Sequence, residues 1–150
     1  MCTGEVVQEI TALGGKAVPN YENVLHGDKI IESAMKQFGR CDIVINNAGI
    51  LRDKSMTKMK KEDWRAVMDV HLEGTFNICH AAWPIMQEQK YGRIINVGSG
   101  AGLYGNFGQA NYSSAKMAVL GLTNTLALEG VSLPVSSLKI ANDLIYIILM

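Results

Sequence analysis

Little in this chain points to cross-links, metals or membranes. Only three of its 150 residues are cysteine. Cys2, Cys41 and Cys79 are widely spaced and odd in number, which argues against a disulfide framework and suits a reducing interior. His26, His71 and His80 lack the i, i+4 pattern with carboxylates that zinc enzymes use, so no metal site is expected. Net charge is absent, because 14 Lys plus Arg balance 14 Asp plus Glu. That balance asks for neither nucleic acid nor an acidic surface. The one basic cluster, Lys58, Lys60 and Lys61, runs into Glu62 and Asp63 and reads as a solvated helix entry. Long apolar runs are missing as well. The terminal LIYIILM (144–150) has seven apolar residues, where a membrane span needs about twenty. It reads as a buried strand or an ill-fitting tail, and no membrane association or signal peptide is expected.

What is present describes a globular protein. At 48% hydrophobic and 19% charged, the chain can bury a core of one domain's size. The pattern alternates helix and strand. GEVVQEITALGG (4–15) is expected as an amphipathic helix with Val6, Ile10 and Leu13 on one side and Gly14 at its stop. KAVPNY, near Lys16 to Asn20, reads as a short strand. GDKIIESAMKQFG is helical and closed by Gly39, and CDIVINNAG is an apolar strand entering a turn. A long helix follows, with Trp64, Met68, Leu72, Phe76 and Cys79 on one face and Pro84 as a kink or restart. GRIINVGS is a second apolar strand. The last helix, from about Gln109 to Glu129, turns Val119, Leu122 and Leu126 inward.

Strands with near-continuous apolar cores, separated by helices, argue for a parallel α/β sheet. In such sheets ligands bind beyond the C-terminal strand ends. Asn46 to Gly49 (NNAG) and Ser99 both follow such ends, so the two motifs point into one crevice. Tyr112 and Lys116 stand one helical turn apart and share a face. A loop with Gly100, Gly102, Gly105 and Gly108 can bring Ser99 back beside them. Alone, Tyr112 and Lys116 are an ordinary exposed pair and NNAG an ordinary strand-end turn. Together they describe a site.

NNAG after an apolar strand, Ser99, and YSSAK with Tyr112 four residues before Lys116 resemble the short-chain dehydrogenase/reductase family over residues 5 to 130. The resemblance implies a Rossmann-like, doubly wound parallel sheet and a nicotinamide cofactor. It assigns Tyr112 as acid/base, Lys116 as its electrostatic tuner and a ribose ligand, and Ser99 as the hydroxyl holding the substrate oxygen. A secondary alcohol releases hydride only as its proton leaves, so a base is required. A free phenol, titrating near about 10, is a poor one. An ammonium one turn away favours the phenolate.

By the same resemblance Asn47 lies near the adenosine ribose, with Ala48 and Gly49 permitting close approach. Asn23 and Val24, in ENV, take the place of the family's adenine contact, or form a surface loop. His71 stands where most of the family has asparagine.

Within the family, NNAGILRDKS, GTFNICHAAWP and GLYGNFGQANYSSAK most resemble peroxisomal dehydrogenases of (3R)-hydroxyacyl-CoA. The implied cofactor is NAD, the substrate an acyl-CoA thioester, the assembly a homo-oligomer and the location peroxisomal. Two family features have no match. TGxxxGxG, the turn that holds the pyrophosphate, does not occur, and VSLPVSSLKIANDLIYIILM does not resemble the usual substrate lid. Residues 1–130 therefore read as an incomplete dinucleotide-binding domain without its first two strands and C-terminal strands. Residues 131–150 read as a divergent apolar tail. As written, the chain is expected to be an inactive fragment. An NADPH-dependent 3-oxoacyl reductase and a non-catalytic interaction remnant stay open as alternatives.

Overall fold

The computed structural model describes residues 3–130, 138–140 and 145–149. Helix α1 spans Thr3–Ala12 and α2 spans Gly27–Phe38. Strand β1 is Ile43–Asn46, followed by a 3-10 turn, Met56–Lys58, and helix α3, Lys61–Met68. A π-helical turn, Asp69–Glu73, joins α3 to α4, Gly74–Gln89. Then come β2 (Arg93–Val97), α5 (Gly100–Tyr104) and α6 (Ala110–Gly130). The last elements are β3 (Leu138–Ile140) and β4 (Ile145–Leu149). Among the described residues no helix is long and apolar enough to cross a membrane.

The sheet runs β1-β2-β4-β3. β1 and β2 are parallel, with Ile43 opposite Arg93 and Asn46 opposite Asn96, so both strands end on the same side. That pair satisfies the α/β expectation. β4 is antiparallel to β2, and β3 to β4. A connection of only four residues between β3 and β4 permits no other pairing, because a parallel return needs a long crossover. LIYIILM thus contributes a strand.

One face of the sheet carries the core. Val44 and Ile94 meet Ile31 of α2, Cys79, Ala82 and Met86 of α4, and Leu126 of α6. Full burial of residues such as Met86 and Ile94 contributes roughly 1.5–3 kcal/mol each. Alternation puts Ile43 and Ile45 on the opposite face, where both are exposed. A polar thread ties the layers beneath the strand ends. Asn46 Nδ2 donates to Asn96 Oδ1 (2.8 Å), Asn96 Nδ2 to Thr123 Oγ1 (2.9 Å), and Thr123 Oγ1 to Val119 O (2.7 Å).

Three local expectations are corrected. Lys16 to Asn20 forms no strand, because Pro19 lacks a donor and Asn20 and Asn23 turn the chain. Their side-chain oxygens accept from Glu22 N (2.8 Å) and Leu25 N (3.0 Å). Leu13 lies beyond the last turn of α1 and is 82% exposed, with Ile10 also on the surface. The face chosen for the long helix is displaced by one position. Val67, His71, Thr75, Cys79, Ala82 and Met86 are buried, while Phe76 is 44% exposed. The displacement is present already at Val67 in α3, and the π turn carries it on through His71 to Thr75, with Cys79 common to the expected and the observed face. The interruption lies at the π turn and not at Pro84, through which α4 continues. Pro84 and His80 are both exposed, which leaves the orphaned carbonyl to water.

Candidate active site

Two cavities open around the end of β1. The first, about 270 Å³, is lined by Asn47, Gly49, Ile50, Leu51, His71, Val97, Tyr112 and Lys116. The second, about 200 Å³, is lined by Val24, Asn47, Ala48, Gly74, Thr75 and apolar neighbours. Asn47 belongs to both.

Each side chain reaches the first cavity for a local reason. Asn111, fully buried, fixes the start of α6: its Nδ2 donates to Arg52 O (3.1 Å) and Asp63 O (3.3 Å), and its Oδ1 accepts from Tyr112 N (2.8 Å). Gln109 Nε2 donates to Asp53 Oδ2 (2.9 Å), and Lys54 N to Gly108 O (2.8 Å). The loop after β1 is therefore fastened to the helix that bears Tyr112. One turn on, Lys116 is buried and its Nζ donates to Val97 O at 2.6 Å. It lies 5.7 Å from the centre of the Tyr112 ring. Its close seat depends on Gly102, where a Cβ would come within 3.1 Å of Met117 N and 3.2 Å of Lys116 C.

The electrostatics follow from burial. Desolvation lowers the Lys116 pKa from its ordinary value. Val97 O takes one of the three ammonium hydrogens; the other two have no partner among the described residues. A buried cation with spare donors is a receptor for hydroxyl oxygens. His71, set inward by the π turn, has its pKa lowered first by burial and further by the Lys116 charge, against a raising contribution from the Ile50 backbone. Its Nε2 is 2.8 Å from Ile50 O and 3.2 Å from Ile50 N. Its Nδ1 is buried without a partner. Gly49 is required here, because a Cβ would stand 2.5 Å from His71 Cε1.

The structure thus brings Tyr112, Lys116, Asn47 and Gly49 together, and places Val24, Ala48 and Asn47 around the adjoining cavity. Ser99 stands just past β2 as the N-cap of α5, its Oγ accepting from Ala101 N at 3.2 Å, and does not line the first cavity. Asn23 makes its local turn. Asn111 and Gln109 were not among the expected site residues. Asn111 is the second residue of α6, past the cap position that favours asparagine, so no local preference marks it.

These residues suit a dinucleotide. The second cavity offers an apolar slot beside Asn47 and Ala48, and the first offers the two free Lys116 donors next to a phenol. The model of the short chain dehydrogenase family matches residues 3–141. The chain belongs to the short-chain dehydrogenase family, an oxidoreductase family whose members typically bind nicotinamide cofactors.

Among curated relatives, the chain is 58% identical over 136 residues to the peroxisomal hydratase-dehydrogenase-epimerase of Neurospora crassa, covering 91% of this chain and 15% of that protein. It is 56% identical over 125 residues to the peroxisomal multifunctional enzyme type 2 of Drosophila melanogaster, covering 83% and 21%. The solved structure of full-length Drosophila multifunctional enzyme type 2 superposes with a TM-score of 0.78 at 48% identity, over 87% of this chain and 23% of that one. The chain spans about a fifth or less of the length of these curated relatives.

Proposed function

We propose that this chain carries the dehydrogenase site of a peroxisomal (3R)-hydroxyacyl-CoA dehydrogenase that uses NAD. The observation that carries the reading is the shared cavity of Tyr112 and Lys116 beside Asn47 and Gly49. The likeness to a peroxisomal hydratase-dehydrogenase-epimerase and to peroxisomal multifunctional enzyme type 2 supports the dehydrogenase activity and the location.

Tyr112, as phenolate, accepts the proton of the substrate hydroxyl. Lys116, 5.7 Å from the centre of the Tyr112 ring, sets a positive charge beside the reacting phenol and gives its remaining hydrogens to ribose hydroxyls, while Val97 O holds it in place. Ser99 donates to the substrate oxygen once its side chain turns from the α5 cap. Asn47, Ala48 and Gly49 lie under the cofactor, and Asn23 and Val24 border the adenine end. A bound nicotinamide supplies the hydride acceptor. Running backwards, Tyr112 returns the proton, so direction follows the cofactor ratio.

In this reading residues 1–130 form the dinucleotide-binding unit, 131–150 a divergent tail, and the full-length polypeptide is a homo-oligomer. These 150 residues contain no TGxxxGxG. The helix terminus that offsets the pyrophosphate charge is worth up to about 2 kcal/mol, so binding without it is weaker by up to about thirtyfold. The isolated chain is accordingly inactive and a weak NAD binder. Calorimetric titration checks this, and a micromolar dissociation constant would contradict it.

The function is tested on the full-length polypeptide carrying this sequence. The 3R and 3S isomers of a hydroxyacyl-CoA are offered with NAD or NADP, and the reduced cofactor is followed. Turnover of the 3R isomer with NAD supports the reading. Preference for NADP would favour the 3-oxoacyl reductase, and no turnover with either would favour the non-catalytic remnant.

A further inference from the structure

We propose that the segment from Arg52 to Lys61 binds the phosphate groups of the coenzyme A moiety of the acyl thioester. The inference rests on the proposed substrate class and locates the part of the substrate furthest from the reacting carbon.

The chain as a whole is neutral, yet five of its 14 basic residues, Arg52, Lys54, Lys58, Lys60 and Lys61, fall within this segment. All five are exposed. Among the described residues none of them forms an ion pair; the two recorded pairs are His26–Glu22 and Arg40–Asp42. The segment's one acid, Asp53, is engaged by the Gln109 amide. A solvated helix entry explains Lys60 and Lys61, beside Glu62 and Asp63 at the start of α3. It does not explain Arg52, Lys54 and Lys58, which precede that helix.

The position of the segment is fixed. Arg52 O is held by Asn111, Asp53 by Gln109 and Lys54 N by Gly108 O. All three clamps come from α6 or the loop entering it, beside Tyr112. Leu51 immediately before them lines the reacting cavity. Met56, Tyr104 and Phe107, on the same pair of joined loops, are 76%, 88% and 90% exposed. Exposed apolar side chains and a cationic stretch, on a clamped loop that begins at the cavity with Leu51, match one kind of ligand. It has an uncharged, flexible arm leading from the reacting group to a polyanionic end. Coenzyme A has that order. Uncompensated lysines and arginines on a held backbone attract such an anion from solution and bind its phosphates by charge-assisted hydrogen bonds.

The test measures binding of coenzyme A, dephospho-coenzyme A and pantetheine to the 150-residue chain by calorimetry at low and high salt. The expected result is that coenzyme A binds about tenfold or more tightly than pantetheine, with the ratio shrinking as salt rises. In the K54Q/K58Q/K60Q variant that ratio falls toward one. Misfolding would weaken both ligands together and would leave the ratio unread, so R52Q alone, outside the 3-10 turn and α3, provides the second variant and must lower it too. Equal affinity for coenzyme A and pantetheine, an unchanged ratio in both variants, or equally tight binding of inorganic triphosphate would overturn the proposal. So would binding of a phosphopantetheinylated carrier protein without binding of coenzyme A.

A kinetic arm uses the full-length polypeptide with the (3R)-hydroxyacyl thioesters of coenzyme A and of pantetheine. The expected KM for the pantetheine thioester is higher, and the same variants narrow the gap. If neither thioester is oxidised while the chain still discriminates coenzyme A from pantetheine, the dehydrogenase reading fails and the phosphate site stands. If both are oxidised with equal KM, the reverse holds.

Discussion

His71 and Tyr112 meet at right angles, ring centroids 5.0 Å apart and planes inclined by 89°. That contact joins the π turn to the first turn of α6, both of which line the cavity at the end of β1. It also sets the Tyr112 ring against an imidazole whose pKa is pushed below its ordinary value by burial first and by the Lys116 charge as a lesser cause. The edge-on arrangement suits the ring quadrupoles and contributes about 0.5–1.5 kcal/mol.

Acid should weaken this fold through His71. Its folded-state pKa lies below the ordinary value near about 6.5, so the unfolded chain takes up the proton first. Stability is therefore fully present above that ordinary value. It is lost as pH falls below it, until the lowered folded-state value is passed. Urea unfolding at a series of pH values should show this slope, and His71→Asn should flatten it. A slope unchanged in the variant would assign the effect to other groups.

Gly49→Ala should lower stability by about 1–3 kcal/mol, the usual cost of overpacking. The new methyl would stand 2.5 Å from His71 Cε1, and His71 is tethered to the Ile50 backbone, so neither side can give way freely. Denaturant midpoints decide it. Equal midpoints would mean that the π turn relaxes without cost.

Lys116→Met should reduce both turnover and cofactor affinity in the full-length polypeptide. The substitution removes the two unshared donors and the charge beside Tyr112, and leaves Val97 O without its partner. That orphaned carbonyl alone costs roughly 1–3 kcal/mol. Turnover and affinity should therefore fall further than stability does. An unchanged affinity would remove the ribose role while sparing the role toward Tyr112.

Much of the fold could be read because local chemistry and tertiary structure agreed. α2 ends at Gly39, which takes the left-handed backbone at φ 73°. β1 and β2 are short apolar runs, and α6 buries Val119 with Leu126 against the core. Tyr112 and Lys116 needed only helical spacing to line one cavity, whereas Ser99 stays at the cap of α5.

What could not be read depended on contacts between distant segments. The π turn leaves the composition of a single long helix unchanged, so only packing reveals that His71, and not Leu72, faces inward. The Asn111 and Gln109 clamps join residues 48 to 59 positions apart, and no local pattern announces them. KAVPNY has the letters of a strand, but a strand exists only with a ladder partner, and Asn20 turns the chain first.

The most direct measurement is single-turnover reduction of NAD by a (3R)-hydroxyacyl-CoA in the full-length polypeptide and its Tyr112→Phe variant, with NAD affinity measured in parallel. The phenylalanine keeps the ring against His71 and removes only the transferable proton. The account predicts a rate lower by about 10²- to 10⁴-fold, the usual contribution of a positioned acid/base, with NAD affinity nearly unchanged. A variant that reduces NAD at the rate of the parent would contradict the assignment of Tyr112, and with it the proposed site.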